Sequence, residues 1–291
     1  MAQASSLGID VSERRGLDLV LLDGVSPPAV RAAVALDGLP GLVRDMAPAV
    51  VAVDAPSGWG VSGGSRACEQ HLRRVAIQSY GTPSDPARRE ERFYSWMKVG
   101  LGVYAALAEI GYPTYRGGAV RGTAAEVFPH ATSVVLAGCL PPASLSRSER
   151  RDWRAGVLAR SGVVTTGLRT ADAVDAALAA LTGLMALRGD FVALGRAEDG
   201  FLLVPAPFAA EPYRPCPETR DEAQARLPGL SPCACGDPAC RALTQQEFAP
   251  GHDAKRKTLL WQRARAGRDA LEELDRRAWE LPPEMRGRRQ R

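Results

Sequence analysis

Val50-Val51-Ala52-Val53-Asp54 is an unbroken apolar run closed by a carboxylate. A strand that is apolar at every position offers no face to water, so it predicts a sheet covered by helices on both sides. The carboxylate at its end is costly to bury unless a cation meets it. Leu7-Gly8-Ile9, closed by Asp10, repeats that design near the N-terminus, and Leu17 to Leu22 reads as the returning strand. Pro28 to Val34 reads as a helical segment, with Val30, Ala33 and Val34 on one face, and Leu39 to Met46 continues that layer. Glu91 to Ile110 reads as a longer helix, Ala124 to Phe128 as a strand interrupted by Pro129, and Ser146 to Ala159 as a helix. Asp172 to Leu187 is the clearest helix, rich in alanine and leucine, with Thr170 or Asp172 to cap it and Gly189 to end it. Phe191–Leu194 and Phe201–Val204 flank the turn signal Asp199-Gly200 and read as a hairpin. Strands first, then helix and strand in alternation, predict an α/β domain with a mixed sheet.

With 291 residues and 45% hydrophobic content, the chain has enough apolar side chains to fill a core. No stretch approaches the roughly 18 consecutive apolar residues of a membrane span. Met1 to Ser6 lacks the basic and apolar regions of a signal peptide, so a cytoplasmic location is expected. The net charge of +4 is unevenly spread. From Asp253 to Arg291 there are 12 Lys/Arg against 7 Asp/Glu, which leaves the first 252 residues at about −1. A basic tail of this kind suits contact with a polyanion such as nucleic acid, and equally a solvated helix at a chain end.

Four acids stand at positions from which a fold can aim them at one point: Asp10, Asp54, Glu126 ahead of Val127-Phe128, and Asp175 in the alanine-rich helix. Mg²⁺ takes oxygen ligands and keeps several waters, so a few carboxylates on rigid elements suffice to hold it. A site of this kind, loaded with Mg²⁺ or Mn²⁺, suits hydrolysis of a phosphodiester. Each acid also has a structural reading. Asp10, Asp54 and Glu126 can satisfy backbone amides, Asp172 can be a helix cap as well as a fifth ligand, and Asp175 can complement the helix dipole. His130 reads as a hydrogen-bonded structural residue.

Five short motifs in order carry a family resemblance: Gly8-Ile9-Asp10, Val53-Asp54-Ala55-Pro56, Gly63-Gly64-Ser65-Arg66-Ala67-Cys68-Glu69, Glu126-Val127-Phe128-Pro129-His130-Ala131 and Asp172-Ala173-Val174-Asp175-Ala176-Ala177-Leu178. Over residues 5 to 207 the chain resembles the domain-of-unknown-function 429 family, described as predicted nucleases of the RNase H-like fold. The resemblance implies an RNase H-like mixed sheet flanked by helices over residues 1–210, with an insertion at about 57–122. It implies a nuclease site in which Asp10, Asp54, Glu126 and Asp175 hold the metal and Arg66, in the basic loop, holds a phosphate. The rival readings are a non-catalytic nucleic-acid- or protein-binding member of that fold and a phosphatase-type enzyme on a related one.

Residues 211–257 read as a linker and a Cys/His module. Cys233, Cys235, Cys240 and His252 supply three sulfurs and an imidazole, a closed set suited to a structural zinc ion, with Cys216 as an alternative ligand. Six cysteines without a secretory signal do not suggest disulfides, and Cys68 and Cys139 read as buried small hydrophobes. Residues 258–291 read as a basic amphipathic helix with a heptad-like stripe, which packs on its own body as a monomer or joins a homodimer.

Overall fold

The computed structural model describes residues 4–216 and, by backbone alone, residues 231–232 and 243–244. The chain divides into two units, Met1–Cys216 and Pro217–Arg291. In chain order the first unit runs β1 (Ser6–Ser12), β2 (Gly16–Leu22), β3 (Ala29–Val34), α1 (Leu39–Met46), β4 (Val50–Asp54), α2 (Ala67–Arg74), α3 (Pro86–Arg89) and α4 (Ser95–Glu109). It continues with β5 (Ala124–Val127), α5 (Pro129–Ala137), α6 (Arg147–Arg160), α7 (Ala171–Arg188), β6 (Phe191–Arg196) and β7 (Gly200–Pro205). In the second unit Ser231–Pro232 pairs antiparallel with Leu243–Thr244.

The first unit is an α/β fold on one mixed seven-stranded sheet, in the order β3-β2-β1-β4-β5-β7-β6. β1, β4, β5 and β7 run parallel in its middle, while β2, β3 and β6 are antiparallel to their neighbours. The central strands are buried on both faces, as their apolar sequences require. On one face Leu7, Ile9, Val51, Val53 and Ala124 pack against Leu39 and Val43 of α1 and Val103, Tyr104 and Leu107 of α4. On the other, Val20, Leu22, Val50, Ala52 and Ala125 meet α7.

α7 is the central helix of the unit, with 12 of its 18 residues buried. Thr170 caps it, its hydroxyl accepting the Ala173 N–H at 3.0 Å, and Gly189 ends it in the left-handed conformation. Small residues let α7 lie directly on the sheet: a Cβ on Gly8 would stand 1.9 Å from the Ala176 carbonyl oxygen, and one on Gly183 would stand 2.1 Å from Ser6 Oγ.

Several expectations need correcting. Pro28 to Val34 is not helical, because its Ala29–Val34 portion forms the edge strand β3 on β2. Six residues are too few to hold a helix alone, and the open edge of β2 offers hydrogen bonds instead. Ala33 takes φ +54° there, with its N–H donated to the Asp18 carboxylate at 2.9 Å, and the pairing shifts register between Leu17 and Leu19. Pro129 does not merely end β5. It opens α5, at a position where a missing N–H costs nothing. The linker expected from residue 211 is not free as far as Cys216. Phe208 and Tyr213 pack beside Leu72, Ile77 and Val134, and Cys216 is joined to Cys139 by a disulfide. The Leu140 N–H donates to the Arg214 carbonyl and the Cys216 N–H to the Leu140 carbonyl, which brings the two cysteines together. That bond also removes Cys216 from the alternatives for zinc. Cys68 is a buried free thiol, as its sequence context suggested. The expectations that Cys139 is a plain buried hydrophobe and that the chain has no disulfide are overturned by the bond to Cys216.

Candidate acidic site

Register builds the site. Asp10 on β1 stands opposite Asp54 on parallel β4 and opposite Asp18 on antiparallel β2. Three aspartates therefore lie in one row across adjacent strands, at a spacing of about 4.8 Å per strand. Paired residues of neighbouring strands point to the same face, and Gly8 and Ala52, two residues before Asp10 and Asp54, both face α7. The first two turns of α7 bring Asp172 and Asp175 toward that row.

The acids differ in what they meet. Asp18 accepts the Ala33 N–H. Asp172 pairs with Arg15, from the β1–β2 turn, at 2.8 Å. Asp175 is held by Arg154 of α6, whose Nη1 lies 2.7 Å from Oδ1 and 2.6 Å from Oδ2. Asp10 and Asp54 stand apart from these: among the described residues, neither has a hydrogen-bond donor or an ion-pair partner.

The electrostatics follow from that imbalance. Burial, and then the charges of Asp175, Asp172 and Asp18, push Asp10 up to about 8, with Arg15 opposing. Burial, and then Asp10 and Asp175, raise Asp54 well above the usual carboxylate range. Asp175 is raised by burial against the pull of Arg154. At neutral pH Asp10 therefore retains its proton unless a cation replaces it.

Glu126 belongs to a different constellation. It pairs in register with Val53, not with Asp54, so strand alternation turns it toward the opposite face of the sheet. There it is buried against Arg66: Nη1 donates to Oε2 at 2.8 Å and Nη2 donates to Oε1, while the Ser57 N–H adds a bond at 2.8 Å. Arg66 Nε also donates to Glu69 Oε1 at 2.9 Å. Glu69 reaches back along α2 to accept the Arg66 N–H at 2.9 Å and takes the Thr82 N–H at 2.9 Å. Arg66 is 2% exposed. Two carboxylates saturate it, so the structure places it as the internal tie of the 57–122 segment to the sheet rather than on a surface open to a phosphate. Glu126 likewise is neutralised in place, and it acts on Asp54 as a nearby charge.

As the side chains stand, no three His, Cys, Asp or Glu residues converge to hold a metal ion among the described residues. Asp10, Asp54, Asp172 and Asp175 thus lie near enough to act on one another as charges without converging on one point. Asp175 is held on Arg154, and Glu126, though bonded to Arg66, lines one small cavity with Asp54. Two adjacent free carboxylates still match a cation that keeps most of its waters, since one or two such ligands suffice for Mg²⁺. Cys233, Cys235, Cys240, His252 and residues 258–291, expected to form a basic helix, lie outside the described residues.

The family model described as "Protein of unknown function (DUF429)" matches residues 8–199. The chain belongs to the DUF429 family. The matched span of this DUF429 protein holds every acid of the site, together with Arg66 and Arg154, and stops short of the Cys/His segment. No curated protein and no solved structure matches the chain.

Sequence reading missed Asp18, Arg15 and Arg154. Asp18 is legible once β1 and β2 are aligned as a hairpin, because it falls opposite Asp10. Arg154 left no local signal, being one arginine among several on α6. His130 was read as hydrogen-bonded, yet its buried Nδ1 has no partner.

Proposed function

We propose that this DUF429 protein is a divalent-metal-dependent phosphodiester hydrolase acting on nucleic acid, with Asp10 and Asp54 as the primary ligands of Mg²⁺ or Mn²⁺. The observation that carries the reading is the Asp10–Asp54 pair: two carboxylates in register on adjacent strands, crowded by like charges and, among the described residues, in ion-pair contact with no cation. Bound there, the ion would polarise a phosphoryl oxygen and lower the pKa of an attacking water. Asp175, now paired with Arg154, would be a further ligand if released, and the Arg154 guanidinium would then be available to a phosphate oxygen. Asp172, paired with Arg15, flanks the site, the two charges acting on Asp10 in opposite directions. The strand order β3-β2-β1-β4-β5, with antiparallel β1–β3 and parallel β4 and β5, supports the RNase H-like reading.

No helix among the described residues is long and apolar enough to cross a membrane. A cytoplasmic site of action, a zinc ion on Cys233, Cys235, Cys240 and His252, and a terminal helix that packs at home or dimerises remain parts of the same proposal.

The test is incubation of the purified full chain with single-stranded, duplex and branched DNA and RNA, in Mn²⁺ and in chelator. Cleavage that needs Mn²⁺ and is lost in Asp10→Asn supports the reading. Full activity in Asp10→Asn refutes it.

A second reading, binding without turnover, is favoured by the arginine already seated on Asp175. Nucleic-acid binding that weakens steeply with salt, with no cleavage of any substrate in Mn²⁺, selects it.

A further inference from the structure

A cleft of about 480 Å³ opens between the segment after α2, the start of α5 and the outer side of α6. That volume falls within the roughly 300–1,000 Å³ typical of small-molecule sites. Tyr80, Phe128 and Trp153 give it aromatic walls, and Arg150 and Arg154, one helical turn apart on α6, give it two cations. No carboxylate lines it. Ser79 and His130 also line it, and each contributes a buried polar atom, Oγ and Nδ1, that has no hydrogen-bond partner.

Each feature selects part of a ligand. Two guanidinium groups without an acid between them select an anion, and the planar fork of arginine suits phosphate. Arg150 uses Nε on the Leu145 carbonyl at 3.1 Å, and it lies at the surface where a phosphate can reach the rest of the group. Aromatic walls select a flat ring, and stacking on them tolerates any base. Unpartnered buried polar atoms are costly, so Ser79 and His130 need a ligand that bonds at its edge. His130 supplies a neutral imidazole: burial, and then the charges of Arg154 and Arg150, push it down to about 4. A bare phosphate answers the first requirement alone. A nucleotide answers all three.

We infer that this cleft binds one nucleotide unit, its phosphate on Arg150 and Arg154 and its base among Tyr80, Phe128 and Trp153, with Ser79 and His130 at the base edge. The inference deepens the hydrolase reading and rests on it for one point only, that the bound unit belongs to the substrate strand. Placement favours that: Arg154 is shared between the cleft and Asp175, and Ser79, Tyr80 and Phe128 also line the smaller cavity that contains Asp54. A strand with its base in the cleft therefore carries its phosphate past Arg154 toward the acids. A base inside a duplex is stacked and paired, so the cleft would take single-stranded or unpaired positions.

The test is calorimetric titration of the full chain, in chelator so that no metal or cleavage contributes, with adenosine 5′-monophosphate, its 2′-deoxy form, adenosine and inorganic phosphate. Binding of a mononucleotide at least tenfold tighter than phosphate and adenosine is expected, and the ratio of the two nucleotides assigns the sugar. Arg150→Ala should weaken it tenfold or more, and Tyr80→Ala about fivefold. Both side chains are exposed and their loss leaves the core intact, which an unchanged melting temperature checks. Equal affinity for phosphate and nucleotide, no binding at 1 mM nucleotide, or an unchanged affinity in folded Arg150→Ala overturns the inference. Cleavage in Mn²⁺ without nucleotide binding in chelator would remove the cleft and leave the hydrolase, whereas tight binding without cleavage would do the reverse.

Discussion

Arg154 Nη1 sits between the two carboxylate oxygens of Asp175, 2.7 Å from one and 2.6 Å from the other, and its charge also pulls down the pKa of Asp54. On the metal-site reading proposed above, this side-chain cation does part of what a divalent ion would do, while holding one of the carboxylates that ion would need.

Arg154→Ala should therefore tighten Mn²⁺ binding while weakening nucleotide binding. Removing the guanidinium leaves Asp175 charged and without its partner, which should destabilise the metal-free protein by roughly 1–3 kcal/mol, and Mn²⁺ should recover that loss. Calorimetry with Mn²⁺ alone, paired with melting curves in chelator and in Mn²⁺, reads both effects. Weaker Mn²⁺ binding in the variant would show that Arg154 supports the site instead of competing for it.

Asp10 makes stability depend on pH in an unusual sense. Its carboxyl is pushed up to about 8 in the folded chain from an ordinary value of 3.8, so the folded state holds a proton that the unfolded state releases. Stability contributed by that proton is present at low pH and is lost as pH rises toward 8. The metal-free protein should lose roughly 1–3 kcal/mol between pH 5.5 and pH 8.5 from this group, Asp10→Asn should flatten the change, and Mn²⁺ at pH 8.5 should reverse it. Mn²⁺ affinity should correspondingly rise with pH, because each ion bound displaces protons. Melting curves across that range, with and without chelator, give the slope.

Arg66 and Glu126 are the cleanest separation of a structural role from a chemical one. Both are buried and bonded to one another, so removing one partner exposes the other to an uncompensated interior. Arg66→Ala should cost about 3–5 kcal/mol, seen as a shift of the urea midpoint. Glu126→Gln, where it folds, should keep Mn²⁺ binding at Asp10 and Asp54 within about twofold, a change of under half a kcal/mol. Loss of binding in folded Glu126→Gln would return that residue to the ligand set.

What could be read from the chain alone depended on how local the signal was. β4 and α7 announced themselves, because a strand apolar at every position and an alanine-rich helix bounded by Thr170 and Gly189 carry their cause within a few residues. The pairing of Asp10 with Asp54 was legible for the same reason, each acid closing its own apolar run. The facing of Glu126 was not. Its side of the sheet is fixed by the partner it takes on β4, and a slip of one residue reverses the face, a fact no short motif records. β3 failed because six residues spaced like a helix face also fit an edge strand, and the neighbour decides. Arg154 and the Cys139–Cys216 bond join residues distant in sequence, whose meeting is set by the packing of α6 on α7 and by the return of the chain after β7.

That bond links positions 77 residues apart, and closing so long a loop restricts the unfolded chain strongly. Reduction, or Cys139→Ser, should lower stability by about 2–4 kcal/mol, with Asp10 and Asp54 still able to bind Mn²⁺ because neither touches the bond. Urea titration with and without reductant measures the difference, and alkylation followed by mass analysis reports which cysteines are protected. Rapid alkylation of Cys139 in the native protein without reductant would show the pair to be open.

Gly8 sets the distance between sheet and helix at the site. It lies two residues before Asp10 on β1, and it meets the carbonyl of Ala176, the residue next to Asp175 on α7. A methyl group at Gly8 would come within 1.9 Å of that backbone oxygen and 2.5 Å of the Ala180 nitrogen, neither of which can swing aside as a side chain would. α7 must then lift from β1, carrying Asp175 away from Asp10. Gly8→Ala should cost at least the upper part of the roughly 1–3 kcal/mol usual for overpacking, and it should weaken Mn²⁺ binding although no ligand has changed. Gly111→Ala is the control, since that glycine has a positive φ, which Gly8 does not, and a Cβ there meets nothing within 4 Å. It should lose stability from backbone strain alone, by about 1 kcal/mol, with Mn²⁺ affinity intact. If the two variants lose Mn²⁺ binding equally, the loss follows stability, and the spacing of α7 from β1 is not what aligns the carboxylates.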